Sequence, residues 1–296
     1  MGKLFLRVFN HFASKGLTNW IPDKLYLKLM YKFRIGKKLD LRNPKGFNEK
    51  LQWLKLYDRK DKYSLLVDKY EVKKIVGNII GEEYIIPTLG VWDSVDEIDY
   101  NILPDKFVLK CTHDSGSVVI CTEKASFNIT MAEEKLKKGM GKSLFYWGRE
   151  WPYKNVPRRI IAEEYLNDSC GSDQLTDYKI YTFNGIAKFM MINKDRNHET
   201  KADYFDRNFE WLDFTWGYPH SEKKPQKPEN FDLMIELAEK LANGLTEVRV
   251  DFYESNHKVY FGELTFFDGS GFEAIEPVEW DLRLGSFFKL PNIMKG

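Results

Sequence analysis

Apolar residues recur at three- and four-residue intervals from residue 1 to about residue 56, the period of helices with one buried stripe. Leu4, Val8 and Phe12 mark a first helix. Leu25, Leu27, Leu29 and Met30 mark a second, and Pro22 with Asp23 suits its first turn. Asn43-Pro44-Lys45-Gly46 reads as a turn, and residues 47–56 as a third short helix. Val67, Tyr70, Ile75 and Ile79 predict a further helix ending at Gly81, with Lys69 early in it and a strand starting at residues 84–87.

Beyond residue 104 the period shortens toward two. Residues 107–111 and 118–122 read as strands joined by Thr112-His113-Asp114-Ser115-Gly116-Ser117. Residues 132–142 read as a charged helix, and 160–166 as a strand running into a loop with Glu163 and Glu164 side by side. Residues 177–183 and 186–193 flank Asn184-Gly185, a strong type I′ hairpin signal. Residues 167–174 and 194–228 are polar and irregular, and so long a loop in a compact domain is often functional. Phe231, Met234, Leu237, Ala238 and Leu241 form a helical stripe that Asn243-Gly244 ends. Trp280, Leu284, Phe287 and Leu290 predict a last packing helix before Pro291.

Residues 248–271 hold the densest chemistry. Val248, Val250 and Phe252 alternate with Arg249, Asp251 and Tyr253, so one strand has an apolar face and a charged one. Ser255, Asn256 and His257 make the turn, and the return strand places Glu263 and Thr265 on one side. If the charged faces coincide, two carboxylates, a hydroxyl and a guanidinium meet. Oxygen ligands of this kind suit Mg²⁺ with substrate phosphates, and an arginine fork suits phosphate oxygens. The same face would also serve as ordinary surface charge. Lys110 before the Gly/Ser turn adds a point charge to backbone N–H groups that can cradle phosphate. The turn lacks the Walker pattern. The stretch 145–159, rich in aromatics and arginines, reads either as a lid or sugar platform or as a packed connector with Pro152 and Pro157.

Composition narrows the class. A chain of 296 residues with 43% hydrophobic content builds one large or two ordinary domains. With 45 basic and 44 acidic residues there is no global basic field for nucleic acid. Cys111, Cys121 and Cys170 form no CxxC pair, which fits a reducing cytoplasm better than disulfides or zinc. No apolar run reaches the roughly 20 residues that span a bilayer. The first 16 residues leave open an amphipathic helix at the inner face of the membrane, against a helix docked on its own domain.

The order of these parts resembles the ATP-grasp superfamily, and more closely its TupA-like members from bacterial polysaccharide gene clusters. FVLKCTHDSGS, PRRIIAEEYL, DYKIYTFNG, VRVDFY and FGELTFFDGSGF carry the resemblance, which spans about residues 47–291. It implies an α+β fold in which two lobes sandwich ATP, with a mainly helical region before them. The expected division is 1–104, 105–166 and 167–296. It implies Lys69 and Lys110 at the ATP phosphates and the turn of His113, Ser115, Gly116 and Ser117 closing over them. Glu163 would meet the adenine amino group, and the backbone of Glu164 and Leu166 the adenine edge. Asp177 and Lys179 would face the nucleotide, with Arg249 at the reacting phosphate. Asp251 and Glu263 would bind Mg²⁺. Thr265 stands where the family pattern E-x-N has asparagine, which puts direct ligation there in question.

The implied chemistry is amide formation through an acyl phosphate. The carboxylate would belong to a uronic acid of a surface glycan such as capsule or O-antigen, or its precursor, and the amine to an amino acid or small amine. Phosphoryl transfer of this type needs positioning and charge neutralisation, with Lys110, Lys179 and Arg249 as the catalytic cations. A glycosyltransferase, a sugar kinase and a non-catalytic ATP-binding protein are the rival readings. The first is disfavoured by the lack of a D-x-D tripeptide.

Overall fold

The computed structural model describes residues 12–13, 16–167, 175–194 and 200–292. The stripe positions Leu4 and Val8, the polar loop at 168–174 and Cys170 lie outside the described residues.

The chain opens with helices α1 (Asp23–Ile35), α2 (Phe47–Tyr57), α3 (Lys62–Val67) and α4 (Glu71–Ile80). α1 buries Tyr26, Leu27, Met30 and Tyr31, so its buried arc lies one position over from the expected one and Leu25 is exposed. The helix expected through Val67 and Ile79 is broken in two. The Asp68 carboxylate accepts the N–H groups of Tyr70 and Glu71 and so starts α4. Lys69 therefore sits in the break, where its N–H donates to Thr112 O at 3.1 Å. The strand expected at 84–87 begins later, as β1 (Thr88–Trp92), after a 3₁₀ turn at Glu82–Tyr84.

A four-stranded antiparallel sheet follows, with β1, β2 (Phe107–Cys111), β3 (Val118–Cys121) and β4 (Ile160–Glu164) in the order β1-β4-β2-β3. Phe107, Leu109, Cys111, Ile160 and Ala162 bury one face, together with Leu136 of helix α5 (Ile129–Met140). The opposite face carries Val108, Lys110 and Glu163, because period two sends alternate residues there and Val108 pairs with Glu163 in register. α5 starts at Asn128, whose side chain accepts the Met131 N–H.

The stretch after α5 is a packed connector. It forms α6 (Leu144–Gly148) and a 3₁₀ segment, and Phe145, Trp151 and Val156 join the main apolar core. Arg149 is 1% exposed, over the Tyr26 ring at 4.1 Å. These side chains are not available as a sugar platform.

The larger sheet has six antiparallel strands: β5 (Asp177–Phe183), β6 (Ile186–Lys194), β7 (Lys201–Asp206), β8 (Trp211–Leu212), β10 (Glu247–Ser255) and β11 (Lys258–Thr265). Their order is β11-β10-β5-β6-β7-β8. Asn184 and Gly185 both take positive φ, as the type I′ turn requires. Much of the expected polar loop after residue 200 is ordered instead, with β9 (Thr215–Trp216) pairing β12 (Ile275–Glu276). Its aromatics explain this: Tyr204 stacks on Phe214 at 4.1 Å and Phe205 on Phe209 at 4.1 Å.

Helix α7 (Phe231–Leu241) covers one face of this sheet with the expected stripe, and α8 (Glu279–Ser286) packs on α2. Phe47 of α2 meets Phe183, Trp216 and Phe288 edge-on at 5.9, 5.3 and 6.2 Å. Helices α2, α3 and α4 thus share the core of the large sheet, while α1 packs in a separate cluster with Leu39 and Phe272.

Candidate active site

A β-bulge at Gly262 sets the chemistry of the last hairpin. Val259, Phe261, Glu263 and Thr265 have the same parity, and a regular strand would put all four on one face. The register slips between Asp251 and Phe252: Asp251 pairs with Glu263, but Phe252 pairs with Phe261. Phe261 and Val259 are thereby turned to the core, while Glu263 and Thr265 stay beside Arg249 and Asp251. Gly262 allows this, since a Cβ there would lie 3.1 Å from Asp251 O and from the Tyr253 ring.

Arg249 is the hub of the charged face and is 6% exposed. Its Nε and Nη2 each donate to Asp251 at 2.7 Å, Nη1 reaches Asp268 at 2.7 Å, and Nη2 reaches Glu263 at 3.3 Å. Lys179, directly opposite Asp251 on β5, meets that carboxylate at 2.6 Å and Asp177 at 3.2 Å. Thr265 donates to Glu263 at 3.3 Å. The structure therefore brings together Asp177, Lys179, Arg249, Asp251, Glu263 and Thr265, as the two-residue period predicts.

The small sheet contributes a second charged face. Lys110 pairs with Glu163 at 2.5 Å, and Lys73 of α4 pairs with the other oxygen at 2.6 Å. In this structure Glu163 holds two lysines. Lys73 also donates to Ile86 O and Thr88 Oγ1. Burial lowers its pKa, and Lys110 adds to this, while Glu163 offsets part of it. Glu163 itself stays below its ordinary range: burial would raise it, but Lys110 and Lys73 outweigh burial. At the strand end Glu164 is exposed and Leu166 half-buried, and the Glu164 N–H donates to Pro87 O.

Lys69 joins the two faces. Its ammonium donates to Asp114 O at 3.0 Å in the β2–β3 turn and pairs with Glu263 at 3.0 Å on β11. Burial would lower its pKa, but Glu263, Asp114 and Glu163 together raise it. Glu263 is correspondingly held well below the usual carboxylate range, Lys69, Arg249 and Lys179 overcoming the opposing effect of burial. In the turn, Ser115 and Gly116 are exposed, and Gly116 has φ +87° with open space around its Cβ position. Ser117 donates to the Asp114 carboxylate. His113 is buried beneath the turn, and burial lowers its pKa.

Three contributors were not singled out from sequence. Lys73 lies four residues after Lys69, but the helix break hides their relation. Asp268 sits inside FDGSG and braces both Arg249 and the Tyr181 hydroxyl. Glu247 has the same parity as Arg249. Its two carboxyl oxygens are buried without a hydrogen-bond partner, and burial and Asp268 push its pKa well up. Among the described residues no cluster of three or more His, Cys, Asp or Glu side chains has metal-holding geometry. Asp251 and Glu263 are instead bridged by Arg249.

Two antiparallel sheets carry charged faces that Lys69 joins, an arrangement that fits an ATP-grasp protein. The chain belongs to the TupA-like ATP-grasp family, whose model matches residues 49–289. No curated protein matches the sequence. Among solved structures it is similar to D-alanine–D-alanine ligase from Bacillus anthracis, at 16% identity and TM-score 0.39, covering 75% of this chain and 59% of that one. The D-alanine–D-alanine ligase from Helicobacter pylori is also 16% identical, at TM-score 0.39, covering 82% of this chain and 69% of that one. A RimK domain ATP-grasp protein from Sphaerobacter thermophilus DSM 20745 is 14% identical at TM-score 0.40, covering 78% and 70%. At these scores the likeness adds nothing to the assignment, which rests on the family match. The chain spans 59% of the length of the first of these structures. No helix among the described residues is long and apolar enough to cross a membrane.

Proposed function

We propose that the protein is an ATP- and Mg²⁺-dependent carboxylate–amine ligase, with lobes at 105–166 and 167–296 holding the nucleotide and residues 1–104 packed against them. The observation that carries this reading is the pairing of site cations with site carboxylates: Lys69 with Glu263, Lys179 and Arg249 with Asp251, and Lys110 with Glu163. A ligand bringing both phosphates and a divalent cation would offer new partners to both sets of charges. The lysines and arginine would hold phosphate oxygens, and Asp251 and Glu263, opposite each other across the hairpin, would hold Mg²⁺. Thr265, which donates to Glu263, would stand beside that ion.

Lys69, Lys110 and the turn of His113, Ser115, Gly116 and Ser117 would hold the phosphate chain. Glu163, Glu164 and Leu166 would lie at the adenine end, and Asp177 with Lys179 beside the nucleotide. Arg249 would stabilise charge as the γ-phosphoryl group passes to a carboxylate. The resulting acyl phosphate is attacked at carbon by an amine, the amide bond forms, and phosphate leaves with the bond electrons. Mg²⁺ supplies charge neutralisation at the phosphates, and positioning supplies most of the remaining acceleration. We assign the carboxylate to a uronic acid of a bacterial surface polysaccharide, or its precursor, and the amine to an amino acid or small amine. The enzyme would work in the cytoplasm, beside the nucleotide supply.

The test is release of ADP and phosphate from Mg-ATP, screened over uronic acids with and without amino acids. Release that needs both, with a condensed product by mass, is the expected result. ADP formation with phosphate retained on the sugar, independent of any amine, would replace the ligase with a kinase.

A further inference from the structure

Between Gly16 and Leu39 the chain carries six basic residues and one acidic, in a protein of formal net charge +1. The one acid, Asp23, is engaged internally, 2.7 Å from Arg59 and 3.2 Å from Arg149. Lys24, Lys28, Lys32, Lys37 and Lys38 are exposed. On α1 a step of 100° per residue puts Lys24, Lys28, Lys32 and Leu25 on one arc, opposite the buried Tyr26, Leu27, Met30 and Tyr31. The most exposed large apolar side chains of the segment are Trp20 at 81% and Leu17 at 57%, in the turns that lead into α1, and Leu25 at 51% on the arc itself. The Trp20 Nε1–H donates to Leu17 O at 3.0 Å. The indole can therefore leave water without losing a hydrogen bond.

We propose that Leu17, Trp20 and Leu25, together with Lys24, Lys28 and Lys32, form a docking surface for an anionic phospholipid bilayer. Tryptophan is favoured at headgroup depth, where an amphipathic ring has both an apolar and a polar neighbour. Lysine stems lie along the apolar surface while their ammonium groups reach the anionic headgroups. The charge is lysine, a point charge suited to a diffuse negative surface. The segment's one arginine, Arg34, lies off the lysine arc, with its guanidinium 5.7 Å from the centre of the Trp147 ring. A nucleic acid would engage the lysines but leave Leu17 and Leu25 in water. The surface is separate from the catalytic cleft, so it localises the protein without entering the chemistry.

The experiment is co-sedimentation of the full chain with vesicles of phosphatidylglycerol and phosphatidylcholine (1:1), against phosphatidylcholine alone, at low and high salt. Binding to the anionic vesicles at low salt, weakened by high salt, is expected. Each of Lys24→Gln and Lys28→Gln should lower partitioning about fivefold. Trp20→Ala with Leu25→Ala should lower it about tenfold or more at either salt, with unchanged thermal unfolding since both side chains are exposed. Equal binding to both vesicle types, no binding to either, or variants that partition like the wild type would overturn the proposal. Absence of vesicle binding with self-association that Trp20→Ala abolishes would assign the patch to a second copy of the chain instead.

Discussion

Asp251 and Glu263 stand directly opposite each other across the last hairpin, and Arg249 donates to both. Each carboxylate also has its own lysine from a different part of the chain, Lys179 for Asp251 and Lys69 for Glu263. The side chain of Glu263 is a third exposed and that of Asp251 3%. This difference separates two substitutions that sequence alone would treat as equivalent.

Glu263→Gln should cut Mg-ATP turnover by about 100-fold or more but cost less stability than Asp251→Asn, because at this one-third exposed position water can replace the acceptor oxygen that Gln lacks, whereas nothing replaces the charge a metal requires. Asp251→Asn should lose turnover equally and also stability, since it weakens the pairing of buried Arg249 and Lys179. Turnover and thermal unfolding measured together would check this. Near-wild-type turnover in both variants would remove the metal site from the hairpin.

Lys110→Ala should weaken ATP binding at least about tenfold, read by titration of a fluorescent nucleotide, because it removes a charge from the end of the small sheet proposed to hold phosphate. Lys73→Ala is expected to weaken it less, since Lys73 is also tied to Ile86 O and Thr88 Oγ1 away from the cleft. Unchanged affinity in Lys110→Ala would count against phosphate contact there.

Stability should fall in acid through the site carboxylates. Glu163 and Glu263 both have folded pKa values below their ordinary value of 4.5. The unfolded chain therefore binds protons first as the pH drops. Their contribution is complete above the unfolded pKa and is lost as pH falls below it toward the folded values. The unfolding free energy of wild type should decline below about pH 5, and Glu263→Gln should show a shallower decline over the same range. Identical slopes in chemical denaturation series would contradict the pairing of Glu263 with Lys69 and Arg249.

Lys55→Met should destabilise the protein by about 3 kcal/mol, the usual scale for acceptors left buried without a donor. Lys55 is fully buried on α2 and donates to Gly148 O, Ser270 O and Ser270 Oγ at 2.7, 2.7 and 2.8 Å. Burial lowers its pKa to about 7, with Glu150 opposing that shift. Ser270 is held at φ +54° in the turn that begins at Asp268, so losing this anchor should also loosen the brace on Arg249 and reduce turnover. A denaturant midpoint equal to wild type would show that the turn holds itself.

Much of the fold was legible because period and punctuation are local. The strands at 107–111 and 177–183, the Asn184-Gly185 turn and the stripe of α7 follow from residue spacing and turn chemistry over a few neighbours. The Arg249/Asp251 and Glu263/Thr265 faces were legible for the same reason. Two elements differ from the local pattern. The helix expected through Lys69 is broken because the Asp68 carboxylate caps a new helix and Thr112 O takes the Lys69 N–H. The polar stretch after residue 200 folds into strands because Tyr204, Phe214 and Trp216 find aromatic partners on β6 and α2.

What the sequence determined by itself is the set of charged positions and their parity along each strand, since side chains alternate whatever the partner. Only the tertiary structure decided which of those charges meet. Phe261 and Glu263 share a parity, and their separation to opposite faces rests on a bulge at Gly262 that depends on pairing with Phe252. Lys73 and Asp268 joined the site through pairing across sheets and turns. Residue spacing does not encode such contacts, because charge interactions between strands are set by distance in space and by the burial that strengthens them.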